Sequence, residues 1–424
     1  MTSSATAGPG SAAPIPDQAA AQRRVLRVLV ASQILSGAGL AAGITVGALL
    51  AQQMLGSTGL AGLPSALFTA GSALTAVAVG RISQTGGRRP GLAGGYLVGA
   101  IGSAGVIAAA VLDQPVLLFL ALFVYGAGTA TNLQARYAGA DLAAPDRRAR
   151  AVSTVLVATT LGGVAGPNLA APTGRFAESI GIPALAGPFL LSGTAYALAA
   201  CVLALFLKPD PLLLARELAA RQPADGASGP GRAQAADEEV PGSGGLMLGV
   251  LVMVVTQLVM VAVMTMTPVH MHDHGHGTAA SGLVIAVHIG AMYLPSPLTG
   301  WLVDRYGRMP LALASGATLL AAGLIAATAP ADSVGLLALA LALLGIGWNF
   351  GLVTGTAIIT DTVPLATRAR TQGMVDVTIA LAGATGGITS GLMVSAAGYP
   401  ALALTGGVLS LAVLPAVALS ARKR

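Results

Sequence analysis

The sequence predicts an all-α membrane protein: twelve transmembrane helices in two pseudo-symmetric six-helix bundles. Three observations carry this: a 424-residue chain that is 54% hydrophobic and only 9% charged, apolar runs of bilayer-spanning length separated by short polar breaks, and a loop motif occurring twice at one spacing. The mean hydropathy of +0.78 lies far outside the soluble range.

A helix needs about 20 apolar residues to cross a bilayer with its backbone polar groups paired internally. Runs of that length fall at about 28–50, 58–80, 91–112, 115–136, 151–173, 184–207, 246–269, 279–302, 311–330, 334–359, 373–396 and 399–420. The 57 glycines allow the close backbone approach that such bundles use. Residues 1–24 read as a small-residue tail without fixed structure. The run after Arg23 and Arg24 is too long for a signal-peptide core and is read as a retained first helix. Residues 25–207 then form the first bundle, 208–244 a cytoplasmic linker and 245–424 the second bundle. Within the linker, LLLARELAAR reads as a short amphipathic helix at the membrane surface.

The net charge of +6 has a topological meaning. With the N-terminus in the cytoplasm, Arg81, Arg88, Arg89, Arg147, Arg148, Arg150, Arg305, Arg308, Arg368, Arg370 and the tail from Arg422 to Arg424 all fall inside, and of the 22 Lys and Arg only Arg175 falls outside. This predicts a multi-pass protein of the plasma (inner) membrane with both termini cytoplasmic. A basic patch interleaved with aromatics is absent, so nucleic acid is not an expected partner. The expected partners are the lipid bilayer and a small solute or metal ion, with a monomeric chain. The single Cys201 excludes an internal disulfide.

The halves repeat. GRISQTGGRRPGL from Gly80 matches GWLVDRYGRMPLA from Gly300, an offset of 220 residues that also aligns DLAAPDRRAR from Asp141 with DTVPLATRAR from Asp361. Gly300, Asp304, Arg305, Gly307 and Arg308 resemble the loop signature of the major facilitator superfamily, G-x-x-x-D-R-x-G-R. That resemblance implies two bundles rocking about a central site that opens alternately to each side. In the first copy Gln84 and Thr85 stand where the family has Asp and Arg, which predicts weaker closing salt bridges there. Asp141 and Asp361 are expected to pair with Arg148, Arg150, Arg368 and Arg370 at the inner face.

One window stands out chemically. All five histidines lie between His270 and His288, next to a methionine-rich run. Met253, Gln257, Met260 and Met264 share one helix face, as do His288 and Met292 on the next span. Such a stripe equally suits packing, since methionine fills irregular gaps. Sulfur with imidazole is nevertheless the ligand set that favours Cu(I). The pattern is similar to that of CcoA-type bacterial copper importers, which carry Met-x-x-x-Met on span seven and His-x-x-x-Met on span eight. That likeness implies Met260, Met264, His288 and Met292 as ligands, with copper as transported substrate and no resident cofactor. His270, His272, His274 and His276 are expected in the outer loop above the stripe, as an entrance for the ion or simply a wetted loop.

Relatives of that group carry organic molecules such as riboflavin, so an importer or exporter of a drug, metabolite or vitamin is the alternative. Gly162, Gly166 and Pro167 resemble the G-x-x-x-G-P element of exporters, and small residues there also suit close packing. Gln33, Asn132, Asn168, Gln257, Trp348 and Asn349 are the expected polar lining of the cavity. Asp376 is the candidate coupling carboxylate, because ionisable groups at membrane depth mark proton and substrate paths. No Ser-His-Asp set or nucleotide loop favours an enzyme or sensor.

Overall fold

The computed structural model describes residues 17–55, 63–221, 243–330 and 332–422. The first bundle comprises α1 (Gln18–Leu55), α2 (Leu63–Gly86), α3 (Arg88–Leu112), α4 (Pro115–Ala140), α5 (Arg148–Ser179) and α6 (Gly187–Phe206), followed by a short α7 (Pro211–Arg221). The second comprises α8 (Ser243–Asp273), α9 (Thr278–Tyr293), α10 (Ser296–Tyr306), α11 (Arg308–Thr328), α12 (Val334–Thr362), α13 (Arg368–Ser410) and α14 (Val413–Arg422). Among the described residues each expected span falls on these helices, the eighth divided between α9 and α10 and the twelfth between α13 and α14. Among the described residues, nine stretches are long and apolar enough to cross a membrane, and one of them, Arg368–Ala418, holds the last two expected spans.

Local chemistry explains the breaks. α13 has 43 residues, and at ~1.5 Å per residue it would far exceed a hydrocarbon layer of about 30 Å. The chain turns at Gly398, whose φ of 82° is a conformation that glycine adopts without a steric penalty. The eighth span divides into α9 and α10 around Leu294 and Pro295, where Pro295 and Pro297 each lack an N–H for the helix ladder.

Two boundaries differ from expectation. α1 starts at Gln18, inside the stretch expected to be an unstructured tail. Asp17 caps it by accepting the Ala19 N–H at 2.9 Å, while Gln18 and Gln22 donate to the Leu142 and Gly139 carbonyls at 2.9 and 2.7 Å. The alanine-rich segment AAAQ lacked an apolar run yet has the highest helix propensity; residues 1–16 of that tail lie outside the described residues. The linker helix α7 also differs: Pro211, Leu212 and Leu214 are buried against protein rather than presented to a membrane surface. The rest of the linker, 222–242, lies outside the described residues.

Each bundle has its own apolar core, around Leu92, Leu122, Phe189 and Tyr196 in the first and Val252, Leu319, Leu341 and Ile359 in the second. Tyr196 is wedged into a slot between helices. A Cβ added at Gly128 would lie 2.4 Å from its ring and one at Gly39 2.8 Å. The rings of Tyr96 and Tyr125 pack around it at 5.8 and 5.7 Å. Gly128→Ala is therefore expected to cost about 1–3 kcal/mol through overpacking, read as a lower unfolding midpoint in detergent. Adding Tyr196→Leu should recover part of that loss, and an unchanged midpoint in the single variant would mean that the slot is not tight.

Candidate functional site: the interface between the bundles

The bundles meet at the face that carries the arginines, and the motif offset of 220 residues reappears there as a set of paired contacts. Gly80 of α2 lies against α13, where an added Cβ would come within 2.9 Å of the Ala369 carbonyl. Gly300 of α10 lies against α5 in the same way, at 2.8 Å from the Ala149 carbonyl. One turn further on, the Asp304 carboxylate accepts the backbone N–H groups of Ala149 and Arg150 at 3.1 and 3.0 Å. At the equivalent position the Gln84 side-chain oxygen accepts those of Ala369 and Arg370 at 2.8 and 3.2 Å.

Gln84 makes no ion pair, and hydrogen bonds take that place. Its amide oxygen makes the cap that a carboxylate would make, and its NH2 donates to the Leu365 and Ala366 carbonyls at 3.3 and 2.5 Å, which a carboxylate cannot do. Thr85 bonds back to its own helix at Arg81.

Ion pairs complete the face. Asp361 accepts from Arg148 of the other bundle at 2.6 Å and from Arg308 at 3.0 Å. Asp141 pairs with Arg88 at 2.7 Å, and Arg150 lies 3.4 Å from Asp304. Of the expected partners of Asp141 and Asp361, only Arg148 makes such a pair; the signature arginines Arg88 and Arg308 take the other places. Gly307, at φ 95°, forms the turn that carries Arg308, and Arg305 is exposed.

Deeper in the interface lies a group that sequence reasoning missed. Arg136 of α4 is fully buried and donates to Thr356 at 3.0 Å, to Tyr137 at 2.9 Å and to Asp376 of α13 at 2.7 Å, with a further bond to the Leu133 carbonyl. The Tyr137 hydroxyl donates to the same Asp376 oxygen at 3.3 Å, and the Arg136 guanidinium sits 4.2 Å above the Tyr137 ring. The other Asp376 oxygen is buried with no hydrogen-bond partner among the described residues. A cation and an anion from opposite bundles are thus held together away from water, at a contact that separating the bundles would break. Arg136 escaped notice because it closes the expected span 115–136, where an arginine reads as a flanking charge at the membrane edge. The signal was the small-residue continuation YAGA, which carries the helix one more turn.

The expected polar lining divides into two kinds. Gln33 and Asn132 are buried in a closed network within the first bundle. Gln33 donates to the Asn132 carbonyl and Thr159, and Tyr96 donates to Gln33 at 2.6 Å and Ser36 at 2.9 Å. Asn349 is likewise buried, donating to the Met292 carbonyl and Ser296 at 2.7 Å each and accepting from Thr299. It ties α12 to the break between α9 and α10. These three are therefore structural bridges rather than cavity lining. Gln257, half-buried, instead accepts from the Trp348 indole at 2.7 Å, and Tyr293 packs edge-on against Trp348 at 5.7 Å.

The methionine stripe of α8 faces its neighbours. Met253 fills the space over Gly355 of α12, Met260 and Met292 are buried in the second core, and Met264 is partly buried against it. His288 is buried with Nδ1 2.8 Å from the Leu341 carbonyl of α12, and its Nε2 has no hydrogen-bond partner among the described residues. The outer histidines are not all in a loop: α8 runs through His270 and His272 to Asp273. His270 stacks on Tyr399 at 4.4 Å and lies 4.3 Å from the His274 ring, whose Nδ1 is 2.7 Å from the His270 carbonyl. Among the described residues no group of three or more His, Cys, Asp or Glu is placed to hold a metal ion.

A family model described as Major Facilitator Superfamily matches residues 29–348 and 249–424. The chain is 58% identical over 395 residues to the MFS-type transporter YdeG of Bacillus subtilis, covering 93% of this chain and 91% of that protein. It is 32% identical over 360 residues to the riboflavin transporter RfnT of Brucella anthropi, covering 84% and 86%. Among solved structures it superposes on the human organic anion transporter MFSD10 with a TM-score of 0.72 at 16% identity, covering 93% of this chain and 99% of that one. It superposes on FucP in its outward conformation with a TM-score of 0.67 at 15% identity, covering 93% and 98%. Signature loop, duplicated bundles, family model and relatives converge: the chain belongs to the major facilitator superfamily of membrane transporters.

Proposed function

We propose that this transporter carries a small organic solute by alternating access, with the arginine-bearing face cytoplasmic, and that opening of the Arg136–Asp376 pair is the coupled step. The observation that carries this reading is the buried charge pair shared between bundles, with one carboxylate oxygen unpartnered. Protonation of Asp376 leaves the Arg136 guanidinium without its counter-charge, and separation of the bundles lets water take up that cation. The Gln257–Trp348–Tyr293 group places an amide beside two aromatic rings, and the similarity to RfnT supports a heteroaromatic solute.

Removing one member of such a pair costs about 3–5 kcal/mol, whereas replacing both by apolar residues is often neutral. Asp376→Asn alone is expected to lower stability. The double variant Arg136→Met/Asp376→Leu should fold with a midpoint near wild type yet lose at least ~10-fold in proton-driven uptake, about 1.4 kcal/mol. Proteoliposomes loaded against riboflavin and a panel of planar heteroaromatics under a pH gradient measure this. Wild-type rates in the double variant would sink the coupling role.

Copper keeps one supporting observation. A carbonyl only accepts, so the Nδ1 of His288 holds a proton toward Leu341 and the Nε2 lone pair is left buried without a partner, as a ligand nitrogen would be. If copper is the cargo, held by Met260, Met264, His288 and Met292, then Met264→Leu and His288→Ala should each abolish Cu(I) accumulation in the same vesicles. Unaltered organic uptake together with no Cu(I) movement in the wild type excludes it.

A further inference from the structure

The duplicated latch is not filled by duplicated residues. In one half, Arg308 donates to the Pro145 carbonyl in the turn before α5, at 2.8 Å. The position equivalent to Pro145 is Leu365, in the turn before α13, and the residue equivalent to Arg308 is Arg88. Arg88 does not reach that carbonyl: its Nη2 donates to Gln372 at 2.5 Å, a side chain whose counterpart is the apolar Val152. The vacated carbonyl of Leu365 receives instead Gln84 of α2, at 3.3 Å, and Arg216 of the linker helix α7, at 3.4 Å from Nε and 3.3 Å from Nη2.

α7 is fixed to the first bundle at its other end. Asp210 caps it by accepting the Leu212 and Leu213 N–H groups at 3.0 and 3.2 Å, and its second oxygen accepts the Arg89 N–H at 2.7 Å. Gly87, at φ 93°, leaves room for that carboxylate, which would lie 2.5 Å from an added Cβ. Leu214 and Leu218 bury the apolar side on the first core. The helix is thus anchored on one bundle and bonded to a turn of the other.

We infer that α7 is a strap of the transport cycle, in which Arg216 donates to the Leu365 carbonyl only while the arginine-bearing face is closed and so holds that face shut. This inference rests on the alternating-access reading. Arg216 acts as a positioning residue, through the turn that precedes α13, and touches no substrate.

Ser153, buried at the α5–α10 contact between bundles, and Ser103, buried within the first bundle, give two thiol reporters once each is changed to Cys with Cys201→Ser in the full chain. Arg216→Ala is expected to speed maleimide labelling at the Ser153→Cys position roughly threefold, the scale of a partly exposed charged hydrogen bond, with no change at Ser103→Cys. Arg216→Lys, which keeps a donor, should return the rate toward wild type. Equal acceleration at both reporters, unchanged labelling at both, or failure of the lysine rescue overturns the strap. Gln84→Ala separates the two readings: if it opens the Ser153→Cys site while Arg216→Ala does not, the strap alone fails. If no variant ever exposes that site, alternating access itself fails.

Discussion

Two helix N-termini hold this interface together. An α-helix begins with four N–H groups that have no partner inside the helix. In α5 and α13 the residues that precede the helix, Arg147 and Thr367, provide no side-chain cap. The caps arrive from the opposite bundle, as Asp304 and Gln84. Each bundle therefore completes the other's secondary structure, and the glycines at positions 80 and 300 let the helices come near enough for it. Parting the bundles costs these bonds and gains water in exchange, a balance close to even. A carrier that must visit both states needs contacts of that kind rather than a continuous apolar seam.

Below this capped layer, the Arg136–Asp376 pair has the opposite character. It is dry, charged and specific to one position, with no counterpart under the internal symmetry: the residues equivalent to Arg136 and Asp376 are Thr356 and Leu156. The capped layer is thus a property of the duplicated scaffold, and the charge pair is a property of this transporter. Buried pairs add little net stability, because desolvation offsets attraction. This pair therefore adds specificity of contact between the bundles more than stability.

Much of the architecture was legible in residue order. Apolar runs gave the spans, and the 220-residue offset gave not only the repeat but the partners, since Gly80, Gln84 and Ala369 contact one another as Gly300, Asp304 and Ala149 do. The chemistry of the interface was less legible. Arg136 looked like a flanking charge because it closes the expected span 115–136. Gln33, Asn132 and Asn349 looked like cavity lining because a polar residue in a span is ordinarily functional. Their partners, Tyr96, Thr159 and Thr299, lie on other helices, so that only packing reveals a closed network. Of the alternating histidines, His274 and His276 lie between α8 and α9 as expected, while His270 and His272 fall on α8 because that helix outlasts Pro268.

The neutral amide at Gln84 makes the two sides of the interface differ in kind. Beside Asp304 the attraction includes a full negative charge meeting a helix dipole and two arginines, and its burial shields that carboxylate from dissolved ions. Beside Gln84 the caps are bonds between dipoles, and the cation there, Arg216, meets the Leu365 carbonyl rather than a carboxylate. Two caps of like geometry thus differ in charge, so the duplicated scaffold presents unlike electrostatic character at its two seams.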